Sequence, residues 1–213
     1  LDPDNRWLAR GPRFRLPAEM IRDQALAASG LLVNRVGGPS VKPYQPADLW
    51  KELATDSLYE QGRGADLYRR SIYTYWKRTV APPTLVTFDA AGREACVVRE
   101  TRTNTPLQAL ALLNEDTFVE SARLLAERTL RDGGASDVER LTYAFRLATA
   151  RRPNRSELAV LTAGLAAHRA RYAGDVEAAK KVLAIGETPA DARWEPRELA
   201  AWAAMAGVVL NLD

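Results

Sequence analysis

Three helix-start signatures in the second half of the chain constrain its fold more than any other feature. Thr105-Pro106-Leu107-Gln108, Ser136-Asp137-Val138-Glu139 and Asn154 with Glu157 each set an oxygen-bearing side chain three residues before a Gln or Glu. In such a pair the first side chain takes a free amide of the opening turn, and the second reaches back to the first residue's own amide. Pro106 stands at the first helical position, where its missing N–H costs nothing. Apolar residues then recur every three or four positions: Leu110 to Leu113, stopping near Asn114, then Phe118, Ala122 and Leu125 behind Asp116. Further on, Val138, Leu141, Phe145 and Ala148 form one stripe, and Leu158, Leu161, Leu165 and Tyr172 another. Asp175 is placed to cap a segment bearing Val176, Ala179 and Leu183, and Pro196 opens a last helix with Leu199, Trp202, Ala206 and Val209 inward. Short connections between these segments predict a helical bundle over 105–213.

The first half, 1–104, is more irregular. Pro17 and the spacing of Ile21, Ala25 and Ala28 predict a helix that Gly30 ends. Gly37-Gly38-Pro39-Ser40-Val41-Lys42-Pro43 reads as a connecting loop that matches neither phosphate-binding fingerprint. Asp48 is a cap for a short helix with Leu49, Trp50 and Leu53, and Pro82-Pro83 starts a helical turn through Leu85 and Phe88. Ser71 to Trp76 is β-branched and aromatic, the best strand signal present, with Ala95 to Thr103 as its partner. The expected fold is therefore mainly α: one domain over 1–213, an irregular helical bundle with a small two-stranded β-ribbon in its first half.

Composition excludes much chemistry. With 46% hydrophobic residues the chain can bury a core, and no apolar run approaches the roughly 18 residues of a membrane span. One cysteine, Cys96, and one histidine, His168, rule out an intrachain disulfide, CxxCH haem attachment and zinc sites built on several such ligands. Cys96 is expected as a small buried residue of the ribbon and His168 as a half-exposed structural one. The 30 basic residues are interspersed with 27 acidic ones, so no concentrated patch points to nucleic acid. Of those 30, 25 are arginine, suited to bidentate contact with carboxylate, sulfate or phosphate, although a GC-rich genome gives the same bias. Without methionine or a signal peptide at Leu1, the chain reads as an excised segment.

The residues with most chemistry cluster where loop, strand and helix start adjoin. Asp89, Arg99, Arg102 and Asn104, with Arg69, Arg70, Tyr75 and Trp76, are the candidate ligand-binding set for an acidic or sulfated polysaccharide. The competing reading is structural: arginines pairing with Asp89, Glu94 and Glu100 in a loop-rich region, and aromatics packing on the bundle. Asp89 and Glu100 as a hydrolytic carboxylate pair is a weaker idea, since 27 carboxylates offer many such pairs. No catalytic or metal-binding residue is assigned, and this segment alone is expected to be non-catalytic.

The run Arg99-Glu100-Thr101-Arg102-Thr103-Asn104-Thr105-Pro106-Leu107-Gln108-Ala109-Leu110-Ala111-Leu112-Leu113-Asn114 resembles the signature of a planctomycete-associated domain of unknown function. Leu1 to Arg6, Glu19 to Asp23, Gly37 to Val41, Arg69 to Tyr73, Pro82-Pro83, Thr87 to Ala90 and Leu210 to Asp213 resemble it in order as well. The resemblance implies the C-terminal module of a large exported protein, periplasmic or cell-surface, that often begins with a cytochrome c module. Any haem then belongs upstream, with no cofactor in this segment. The implied role is docking on the upstream domains of the same polypeptide or on a partner. Docking calls for an exposed apolar patch, whereas glycan recognition calls for a concave groove lined by arginine and floored by aromatic rings.

Overall fold

The computed structural model describes residues 6–7, 15–46, 49–50, 59–93, 95–96, 98 and 102–212. Eight α-helices have described bounds: α1 (Ala18–Ser29), α2 (Pro83–Thr87), α3 (Pro106–Asn114), α4 (Asp116–Asp132), α5 (Asp137–Thr149), α6 (Arg155–Ala173), α7 (Val176–Leu183) and α8 (Pro196–Leu210). The start signals operate as expected. Glu139 Oε2 accepts from the Ser136 amide at 2.9 Å and Glu157 Oε2 from the Asn154 amide at 2.7 Å. Asp175 Oδ1 accepts from the Ala178 amide at 2.8 Å. Gly30 ends α1 at φ +86°, a left-handed conformation that glycine adopts without steric cost.

α8 lies at the centre and packs on α4, α5, α6 and α7. It is apolar and alanine-rich nearly all round, and Leu199 to Ala203, Met205, Ala206 and Val209 are buried. Small residues let neighbours approach: a Cβ on Gly164 would stand 3.2 Å from the Met205 sulfur. At one end Arg169 of α6 pairs with Asp137 of α5 and Glu198 of α8, and Glu198 Oε1 also accepts from Trp202 Nε1 at 2.8 Å. α1 packs on α4 and touches α5 and the Ser71–Tyr73 turn of the irregular first half.

No strand occurs among the described residues, so the expected β-ribbon is corrected. Ser71–Tyr73 forms a 3₁₀ turn, and the chain beyond it meets Val41 only in an isolated parallel bridge with Thr74. The cause is tertiary. Asp23 of α1 accepts the Ser71 amide at 2.7 Å, and Arg22 donates to the Ser71 hydroxyl at 3.2 Å and to the Arg69 carbonyl at 3.0 Å. Asp23 thus takes the Ser71 amide, and the Tyr73 carbonyl and Tyr75 amide pair with Val41, so tertiary contacts outweigh β-propensity, which is weak and context-dependent. Of the proposed partner, residues 97 and 99–101 lie outside the described residues, and 95, 96, 98, 102 and 103 form no strand. Cys96 is exposed rather than buried, because no strand carries it inward. The Asp48 cap and Leu53 also lie outside the described residues.

Replacing Asp23 with Ala should lower stability by about 1–3 kcal/mol in urea unfolding while leaving helix content unchanged, since it strips the Ser71 amide of its acceptor.

Candidate functional site

Arg69 is fully buried. Its guanidinium donates to the carbonyls of Pro39 at 2.9 Å, Arg35 at 3.0 Å and Gly37, and stacks 3.9 Å from the Tyr73 ring centre. Tyr73 in turn accepts the Gly37 amide at 2.8 Å. The glycine-rich loop is therefore wrapped around a cation, its carbonyls turned inward, and Arg69 is a strut for that loop. Arg70 is half-exposed and lies 3.5 Å from Asp23.

The aromatic pair is covered by the protein's own cations. Lys42 Nζ stands 5.6 Å from the Tyr75 ring centre, and the Arg93 guanidinium 4.4 Å from that of Trp76. Asp89 (φ +64°) accepts from the Thr103 amide at 2.7 Å and from the Thr103 hydroxyl at 2.8 Å. These bonds, the amide's first, hold its carboxyl below the usual range. Gln108, buried, closes the same knot: Nε2 donates to the Thr87 carbonyl at 2.8 Å, and Oε1 accepts from Arg15 at 2.7 Å and from the Thr105 amide at 2.8 Å. Arg102 and Asn104 are exposed beside it, and Arg99 lies outside the described residues. The candidate set is thus split between the underside of α1, the Lys42 side and the α2–α3 joint.

A second polar assembly has no counterpart in the sequence reading. Glu120, fully buried on α4, accepts from Tyr44 Oη at 3.0 Å, Tyr68 Oη at 3.0 Å and the Thr188 amide at 2.8 Å. Burial first, with the charge of Glu120 adding, drives both tyrosine pKa values upward, so both remain donors. Arg123 and Glu127, one and two turns on, are buried as well and pair at 3.0 Å. Arg123 also donates to the Thr188 carbonyl, and Glu127 accepts the Asp191 amide at 3.2 Å. Above Tyr44 opens a cavity of about 530 Å³ lined by Glu60, Gln61, Arg63, Asp116, Gly186 and Glu187. Among the described residues no group of three His, Cys, Asp or Glu is placed to hold a metal ion.

Exposed apolar residues are spread over the molecule, Val36, Ile72 and Val160 among them, and three stand in line on α3. Leu107, Leu110 and Leu113 are 61%, 57% and 46% exposed, a ridge at i, i+3 and i+6, while Ala111 and Leu112 face the cluster of Leu85, Phe88 and Phe118. Val208 and Leu212, also exposed, lie at the end of α8 where Leu113 meets Gly207. From Thr103 to Asn114 there is no charged residue, in a chain with 27% charged residues. That neutrality was legible; which leucines faced outward was not.

A family model described as PSD1, a protein of unknown function (DUF1553), matches residues 1–165. The match ends within α6, so α7 and the central α8 lie beyond it. No curated protein and no solved structure matches the chain.

If Arg69 is a strut, Arg69→Lys should lower stability by roughly 2–4 kcal/mol with no ligand present, because an ammonium cannot bridge three carbonyls in the guanidinium's fork. Gly186→Ala should be at least as costly: its φ is +93°, and the added Cβ would fall 2.3 Å from the Glu120 carboxyl carbon. Equilibrium unfolding of both variants checks this.

Proposed function

This chain belongs to the DUF1553 family of proteins of unknown function, and we propose that it serves as a non-catalytic docking module whose contact surface is the leucine ridge of α3. The observation that carries the reading is that ridge: three leucines about half-exposed, in line, on an uncharged helix whose other face is seated in the core. Soluble domains seldom leave such a line uncovered without a use for it.

Size favours a tethered partner. Covering three half-exposed leucines contributes roughly 3–4 kcal/mol. Free association of two separate bodies costs about 4–15 kcal/mol. A neighbour on the same polypeptide acts at an effective concentration near the millimolar range and meets most of that cost in advance. The upstream domains of the same polypeptide are therefore the proposed partner. Export to the periplasm or cell surface, and a haem-bearing cytochrome c module among those domains, belong to the same proposal and draw their support from sequence resemblance. Among the described residues no helix is long and apolar enough to cross a membrane.

The test is to titrate this segment against the remainder of its polypeptide as a separate chain. Leu110→Glu should weaken binding at least tenfold while shifting the segment's own melting temperature little, because Leu110 makes its contacts outward. Unchanged binding in Leu110→Glu would remove the ridge from the interface.

A further inference from the structure

α3 is pinned at both ends by polar groups of different kinds. At its start, Gln108 is held by the Thr87 carbonyl, the Thr105 amide and Arg15, with the Asp89 carboxylate, whose pKa is lowered, 3.4 Å from its Nε2. At its end, Glu115 is the single residue between α3 and α4: its amide donates to the Ala111 carbonyl at 2.9 Å, and its carbonyl accepts from Phe118 at 2.9 Å. The Glu115 side chain turns inward. Oε1 accepts from the Thr117 hydroxyl at 2.9 Å, whereas Oε2 is shielded from solvent and has no hydrogen-bond partner. Arg22 of α1, the nearest cation acting on it, is buried and spends its terminal nitrogens on Leu67, Arg69 and Ser71. Arg22 Nε is likewise buried without a partner.

We propose that Glu115 is a proton-operated latch: protonated, it seats the end of α3 against α4, and ionised, it loosens that joint and lets α3 pivot about Gln108. A carboxyl with an unpartnered buried oxygen is tolerated neutral. A carboxylate there must draw in water or pull Arg22 away from the 67–71 segment, and either disturbs the packing of Ala111 and Leu112. The groups that bear on Glu115 are few. The hydroxyl of Thr117, then Arg22 from α1, then the Thr117 amide favour the ionised form, adjacent Asp116 opposes it, and Arg22 itself lies in the field of Asp23 and Tyr59. Burial outweighs them and raises the carboxyl from 4.5 to about 7. Between those values the folded chain keeps a proton that the unfolded chain releases. The stabilisation is therefore complete below 4.5 and is lost as pH rises through about 7.

The inference rests on the docking reading only for its consequence, a ridge whose seating follows pH. Its own test is a carbon-13 carboxyl titration of Glu115 in the whole chain from about pH 5 to 9, read beside melting temperature and binding of an apolar fluorescent dye. A carboxyl midpoint near 7 is expected, with dye binding rising through it and the melting temperature falling between about 4.5 and 7 and levelling off above. Glu115→Gln should flatten both curves at their low-pH levels. Thr117→Val, which removes the hydroxyl's hydrogen bond and leaves that of the Thr117 amide, should move the midpoint upward. His168, the chain's only histidine, has its pKa lowered by burial, and His168→Gln should leave the transition in place. A Glu115 carboxyl already ionised at pH 5, or a pH response that survives in Glu115→Gln, would overturn the latch. Should the Gln variant not fold, the titration of the unaltered chain still decides.

Discussion

One buried carboxylate joins the two halves of this molecule. Glu120 is removed from water on the inner side of α4, a position in which an unpaired charge would cost several kcal/mol. Its acceptors are filled from three separate stretches: Tyr44 from the loop after α1, Tyr68 from the 3₁₀ turn at Gly64–Tyr68, and the Thr188 amide from the α7–α8 connection. None of those stretches has a regular ladder of its own. Each is irregular structure whose backbone and hydroxyl groups find partners on a helix, and Glu120 is where they converge.

The arginines follow the same logic. Arg22, Arg69 and Arg123 are buried, and each donates to main-chain carbonyls of segments that lack sheet or helix partners. A guanidinium with five donors in a fixed plane can satisfy several such carbonyls at once, which lysine cannot. The arginine excess of the sequence thus has a use within the fold at these three positions.

The second half was legible because its signals are local. A capping pair, a proline at the first turn and a 3.6-residue stripe act within one helix, and the helices at Pro106, Asp137, Arg155, Val176 and Pro196 start where those residues place them. The first half was less so, because its structure is set by side chains distant in sequence. Nothing in Ser71 to Trp76 announces that Asp23, almost fifty residues earlier, takes the Ser71 amide and that Arg22 donates to the Ser71 hydroxyl. The polar residues of α4 mislead for a related reason. Glu120, Arg123 and Glu127 recur at helical spacing, and they are buried although nothing in their polar character announces it. Gly186, whose missing side chain makes room for Glu120, is the one trace of that arrangement in the sequence.

Native-state hydrogen exchange on the unaltered chain and on Glu120→Gln tests most directly whether this carboxylate holds the irregular half to the bundle. The expected result is joint loss of protection at the amides of Val33, Val41, Tyr75 and Thr188, each hydrogen-bonded in the native fold, with α6 and α8 keeping theirs. Unchanged protection at Val41 and Tyr75 would contradict it and show that the packing of α1 on α4, with Arg128 donating to the Ala28 carbonyl at 2.9 Å, holds the first half to the bundle without Glu120.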